Sequence, residues 1–403
     1  MKIFFRRIHL YLGLAAGLVI LVACATGALL VFQKELEQAF NKQRYFTEVK
    51  GQRLSLDTLA QRVATAQPNM TVGSIRIYTD PSRNAEVNVN PKEKKQSGER
   101  SESGERERGG KREEGKRGAG GPAQAEGAKR GGGGEGRGAG LTVFVDPYTG
   151  NIKEVYNARN SFFFKVMALH RWLLGSNEGP GKWITGIATF IFLFILITGI
   201  ILWWPKTRRI LKQRLRVRRD AGWKRLNHDL HVVLGFYSAI FLFVFAFTAL
   251  PMSFQWFNKG IYTVTRSPLK APAPPAAARA EGPLVSFDTA LHTASGILPK
   301  SVFYTLALPR EAGAPLTVTA LSENAVHESA TDQLYLDPHS GAVLGTLLYG
   351  ERSLGARVRS TFRPVHVGSI GGWPSKIIAC IVCLLGVTFP ITGVIMWWNR
   401  KKF

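Results

Sequence analysis

Four uncharged apolar runs, Leu10 to Gln33, Trp183 to Trp204, Leu230 to Asn258 and Ile377 to Asn399, constrain this chain more than any other feature. Each is long enough to cross a hydrocarbon core, which takes roughly 20 residues of helix for about 30 Å. Inside lipid every backbone polar group must be satisfied within its own segment, so such runs fold as helices. The first run reads as a span and not as a signal peptide. It is longer than an h-region, and no small-x-small cleavage site precedes Lys34 and Glu35. The net charge of +25 would by itself suggest a nucleic-acid partner, but four spans exclude a soluble nucleic-acid binder.

The basic residues instead give orientation. The short connection from Pro205 to Asp229 carries ten Lys and Arg against two acids; Lys2, Arg6 and Arg7 precede the first span, and Arg400, Lys401 and Lys402 follow the last. The positive-inside rule places all three on the cytoplasmic face, with Trp203, Trp204, Trp397 and Trp398 as an interfacial belt there. Both long segments are then expected outside the cytoplasm.

The chain also repeats itself. At an offset of 222, His9 meets His231, Gly13 meets Gly235, Gly17 meets Ala239 and Thr26 meets Thr248. At 194, Lys182 meets Lys376, Thr198-Gly199 meets Thr392-Gly393 and Trp203-Trp204 meets Trp397-Trp398; at 196, His170 meets His366. Each long segment opens with a helix-start signal, Ser55-Leu56-Asp57 or Ser286-Phe287-Asp288, where Ser or Asp can cap. Each continues with β-rich runs, Ile75 to Tyr78 and Leu141 to Val145 in one, Val302 to Ala307 and Gln333 to Leu336 in the other. Each ends in an Asp-Pro-x-x-Gly turn, at Asp146 and at Asp337. The expected fold is therefore a membrane α-helical bundle of four transmembrane helices with two extracytoplasmic α+β domains, internally duplicated.

The expected boundaries are spans at 1–33, 183–204, 230–258 and 377–399, exported regions at 34–182 and 259–376, and a basic loop at 205–229. Between Pro91 and Gly140 lies an insert mostly of Gly, Glu, Lys and Arg, expected to be disordered because it has little apolar surface to bury. Pro268 to Pro283 reads as a linker. The three cysteines, Cys24, Cys380 and Cys383, all fall inside spans, so disulfides do not hold the exported regions; Cys380-x-x-Cys383 has the spacing of a redox motif, but within an apolar helix it reads as small polarizable filler. No Cys-x-x-Cys-His occurs, which rules out covalently attached c-type haem.

Four histidines recur at corresponding positions. His9 and His231 lie at the cytoplasmic ends of spans one and three, while His170 and His366 precede spans two and four on the exported side. A pseudo-twofold would bring each pair together, and paired imidazoles suit a six-coordinate haem iron between facing helices. Gly13 and Gly17 share a helical face with His9, as Gly235 does with His231, leaving room for a flat macrocycle. The bland alternative makes Gly13-x-x-x-Gly17 a packing face and the histidines interfacial anchors. Arg6, Arg171 and Arg363 stand near the histidines, as do Arg7 and Arg225, where they could neutralise haem propionates. His228, three residues before His231, competes for its role, although the repeat aligns it with Arg6. His292, His327 and His339 read as solvated surface residues. No catalytic acid, base or nucleophile stands out.

Arg6-x-x-His9 with Gly13, His170-Arg171-Trp172-Leu173-Leu174-Gly175, Thr198-Gly199 with Trp203-Trp204, and the two Asp-Pro-x-x-Gly turns resemble the PepSY-associated transmembrane family over nearly the whole chain except the insert. The resemblance implies an iron-regulated protein of the bacterial inner membrane that uses two haem b groups to pass electrons to a periplasmic ferric siderophore. Some relatives carry cytoplasmic flavodoxin-like or NADPH-binding domains and this chain has none, so the donor stays unassigned. PepSY-type domains also resemble protease propeptides, which gives a second expectation: a membrane-anchored peptide-binding or peptidase-regulating protein without redox activity. Membrane lipid is the other expected partner, and nucleic acid is not one.

Overall fold

The computed structural model describes residues 1–92, 140–218, 220, 222–278 and 282–401, so most of the insert expected at 91–140 lies outside the described residues. Among the described residues four helices are long and apolar enough to cross a membrane: Lys2–Val31, Pro180–Trp203, Trp223–Ser253 and Gly372–Arg400. Their connections alternate. Sheet-forming regions join spans one to two and three to four, and the basic loop joins two to three, so the bundle has a loop end and a sheet end. Lys2 at the chain start donates to the Trp204 carbonyl at the end of span two, which seats both at the loop end. Trp204 and Trp398 are exposed, as a belt requires, whereas Trp203 is buried and stacks on Phe236 with ring centres 3.6 Å apart.

Spans one and three differ in their first turns. Lys2–Val31 is a regular α-helix around His9. The third span starts as an α-helix, Trp223–Asp229, opens into a π turn at Leu230–Leu234 that contains His231, and returns to an α-helix at Gly235–Ser253. Such turns insert locally widened backbone into a helix and are frequent at functional positions.

The two α+β regions meet edge to edge in one antiparallel sheet. Its strands are β1 (Met70–Tyr78), β2 (Ala85–Pro91), β3 (Leu141–Val145), β4 (Ile152–Tyr156), β5 (Ser301–Ala307), β6 (Leu316–Ser322), β7 (Asp332–Leu336) and β8 (Val343–Leu347), in the order β4-β3-β2-β1-β5-β6-β7-β8. Each region is a four-stranded meander whose first strand would leave an exposed edge, and antiparallel pairing of β1 with β5 from Ser74↔Ala307 to Tyr78↔Phe303 removes both edges. Alternating side chains send Ile75, Val87, Val143, Leu306, Val318 and Leu334 to one face. Helices Leu56–Ala66 and Phe287–Ile297 cover that face through Leu59, Val63, Ala290 and Ala294, making one continuous core.

The two covering helices start head to head. Ser55 and Ser286 cap their own helices by accepting from Thr58 N and Thr289 N. The aspartates cap across: Asp288 accepts from Leu56 N at 2.9 Å and Asp57 N at 3.2 Å, and Asp57 accepts from Phe287 N at 3.0 Å and Asp288 N at 3.3 Å. Burial, and then the neighbouring Asp57 carboxyl, push the Asp288 carboxyl above its ordinary value.

A short helix links each half-sheet to the following span: Phe162–Trp172 after β4 and Leu354–His366 after β8. The first ends with Leu173 and Leu174 at φ 50° and 66°, a sharp left-handed stop. Trp172 O then lies 1.9 Å from where a Cβ on Gly181 would stand, so only glycine permits this approach to the second span.

Candidate functional site

The structure brings the four repeated histidines together as two pairs. At the loop end the His9 and His231 ring centres are 6.3 Å apart at an interplanar angle of 83°. At the sheet end those of His170 and His366 are 6.2 Å apart at 57°. About 25 Å of the first span separates His9 from Thr26, which touches His170, so the pairs occupy opposite ends of the bundle.

All four rings are tied through Nδ1. His9 Nδ1 lies 3.1 Å from Ile195 O and 3.0 Å from Thr198 Oγ1, and His231 Nδ1 lies 2.8 Å from Thr392 Oγ1. His170 Nδ1 lies 3.0 Å from Ala23 O and 2.9 Å from Thr26 Oγ1; His366 Nδ1 lies 2.9 Å from Phe245 O and 3.4 Å from Thr248 Oγ1. Among the described residues none of the four Nε2 atoms has a hydrogen-bond partner. Glycines let the rings lie close to neighbouring backbone: a Cβ on Gly199, Gly393 or Gly27 would stand 3.3, 3.5 or 3.5 Å from Cε1 of His9, His231 or His170. The four threonines are the site residues that sequence reasoning missed. They recur at the repeat offsets, but nothing in the repeat shows that they face histidines.

The other expected site residues divide. Gly13 has open space where a side chain would stand, and Gly235 has only Phe389 Cε1 at 3.9 Å. Gly17 is buried and packs against Pro390 of the fourth span, so it belongs to helix packing. Arg6 and Arg363 are exposed, and Arg171 lies over the Trp172 ring at 5.2 Å. His228 does not pair with His9; its Nδ1 lies 3.2 Å from Asp229, which also binds Arg225 at 2.9 Å. Of the three remaining histidines, His292 is exposed and His339 half-buried. His327 is not the expected surface residue. It is buried, accepts from Ser329 N at Nδ1 and lies 3.0 Å from the Tyr349 hydroxyl through Nε2; burial lowers its pKa.

The paired rings suit a metal ion held between two imidazoles. Two metal–nitrogen bonds of about 2 Å, with about 1 Å from each nitrogen to its ring centre, give a centre-to-centre distance of roughly 6 Å. Among the described residues no group of three or more His, Cys, Asp or Glu is placed to hold a metal, so the remaining positions of a six-coordinate ion would come from a non-protein ligand such as a porphyrin. Open space at Gly13 is compatible with a flat macrocycle. Trp203 Nε1 and Trp172 Nε1 are buried donors without hydrogen-bond partners among the described residues.

Set beside known proteins, the chain matches the family model described as the PepSY-associated TM region over residues 6–400. No curated protein matches it.

Proposed function

The chain belongs to the PepSY-associated transmembrane family, and we propose that it is an internally duplicated electron carrier of the bacterial inner membrane that reduces ferric siderophores in the periplasm. The observation carrying this reading is the pair of matched histidine clusters, with ring centres 6.3 and 6.2 Å apart, at opposite ends of one bundle. In this reading His9 and His231 hold one haem b, His170 and His366 hold a second, and Gly13 and Gly235 leave room beside the first. Each half contributes one PepSY-like domain to the shared sheet. Both termini and the basic loop are cytoplasmic and the sheet is periplasmic, in line with the Lys and Arg asymmetry.

Bound haem would supply one-electron iron chemistry. The chain's own residues keep each imidazole fixed, exclude lipid from the iron positions with the surrounding spans, and present Arg171 and Arg363 beside the sheet-end pair. A ferric complex docked there gains one electron and becomes ferrous, with no bond made to the protein. Oxygen-rich chelators hold the harder ferric ion more strongly than the ferrous ion, so reduction releases iron. Electrons enter at the loop end, from a cytoplasmic or membrane donor.

The test mixes dithionite-reduced protein anaerobically with a ferric siderophore. Haem reoxidation together with capture of ferrous iron by a chelating dye is the expected result. Haems that stay reduced with every ferric complex would remove the siderophore assignment.

A further inference from the structure

The four histidine–threonine contacts share one proton arrangement. Each threonine hydroxyl faces the carbonyl one turn back in its own helix: Thr26 to Val22 at 2.6 Å, Thr198 to Phe194 at 2.8 Å, Thr248 to Val244 at 2.7 Å and Thr392 to Thr388 at 2.8 Å. A hydroxyl has one proton and two lone pairs. With the proton committed to that carbonyl, the oxygen can only accept from the histidine. Three of the four Nδ1 atoms also face a backbone carbonyl, of Ile195, Ala23 or Phe245, and a carbonyl can only accept. Both observations require Nδ1 to carry the ring proton. The lone pair of each neutral ring is therefore on Nε2, the atom without a partner.

We propose that Thr26, Thr198, Thr248 and Thr392 are positioning residues that fix the four histidines as Nδ1–H tautomers and set the electron richness of the ligating Nε2. This rests on the haem reading for its redox consequence but not for the tautomer itself. The ties run within each half: Thr198 of span two holds His9 of span one, and Thr26 of span one holds His170. In the second half Thr392 holds His231 and Thr248 holds His366. Every ring is thus oriented by its own half before it meets the ring of the other. An acceptor on Nδ1–H makes an imidazole a stronger donor through Nε2, which favours the ferric ion and lowers the potential of that centre. The Thr248 contact is the longest of the four, 3.4 Å, and there an alanine, Ala249, follows the threonine where the other three positions have glycine.

The first measurement is nitrogen-15 NMR of histidine-labelled, haem-free full chain in detergent. Four Nδ1–H rings, assigned to His9, His170, His231 and His366 by comparison with single His→Gln chains, are expected beside the Nε2–H ring of His327, whose Nδ1 accepts from Ser329 N. Thr198→Val should convert the His9 ring partly to the Nε2–H form, and an Nε2–H ring at His9, His170, His231 or His366 in the unaltered protein would overturn the proposal. The second is a redox titration of the haem-loaded chain. Thr198→Val should raise the potential of the loop-end centre and weaken haem retention there by about 10- to 100-fold, Thr198→Ser should restore both, and Thr248→Val should have the smallest effect. Unchanged potential and retention in Thr26→Val, Thr198→Val and Thr392→Val proteins that still carry two haems would also overturn it. Absence of haem from the unaltered protein would defeat the haem reading instead, leaving the tautomer measurement to decide the proposal.

Discussion

The loop-end and sheet-end histidine pairs have nearly equal ring separations on different scaffolds. His9 and His231 are part of the spans themselves, so their spacing follows from how spans one and three each pack against spans two and four. His170 and His366 sit on short helices, Phe162–Trp172 and Leu354–His366, that run from the sheet into the bundle. The first pair depends on the bundle alone. The second depends on the bundle, the sheet and the turns between them. Disturbance of the sheet should therefore reach only the second pair, which gives the account its sharpest tests.

The largest expected effect comes from removing a ligand. His366→Ala should abolish about half of the bound haem and all ferric reduction, while His339→Ala should leave both intact; haemochrome assays and the dye-capture assay read these outcomes. Next is Gly181→Ala, whose new methyl would collide with Trp172 O and displace the helix carrying His170. It should empty most of the sheet-end pair and spare the loop-end pair. Equal loss at both ends would show that the scaffolds are not separate.

A smaller effect is expected at the seam of the sheet. Because the Asp288 carboxyl is raised in the folded protein, its contribution is present below its unfolded pKa and is lost as pH rises through the folded value. Thermal stability of the sheet should thus fall from acidic towards neutral pH. Asp288→Asn, which has no titrating proton, should remove that dependence, at a cost of about 1 kcal/mol because only one of the two oxygens that accept from Leu56 N and Asp57 N remains. A midpoint that keeps its pH dependence in the variant would place the titrating group elsewhere. Smallest of all, deletion of residues 92–138 should leave ferric reduction unchanged, because docking is assigned beside His170 and His366.

These regions also differ in how much the sequence revealed. Spans announce themselves by length and apolarity, and the four histidines by their recurrence at offsets 222 and 196, because both signals are local or periodic. Pairing of β1 with β5 joins residues more than 200 positions apart and leaves no local trace, so the single sheet was not legible. The capping signals at Ser55 and Ser286 were readable as helix starts, but the crossed Asp57 and Asp288 caps exist only because the two helices meet. His327 looked like a surface residue because its Tyr349 partner is brought to it by the fold. The threonines repeat visibly, yet their role needs the neighbouring helix that carries each histidine.

Haem stoichiometry tests the central claim most directly. Full-length protein purified in mild detergent with iron and haem precursor supplied should give two haem b per chain by pyridine haemochrome, falling to one in His9→Ala and to one in His366→Ala. A purified, folded chain without a Soret band, or one whose haem content is unchanged in both variants, would contradict the assignment of the paired histidines as haem ligands.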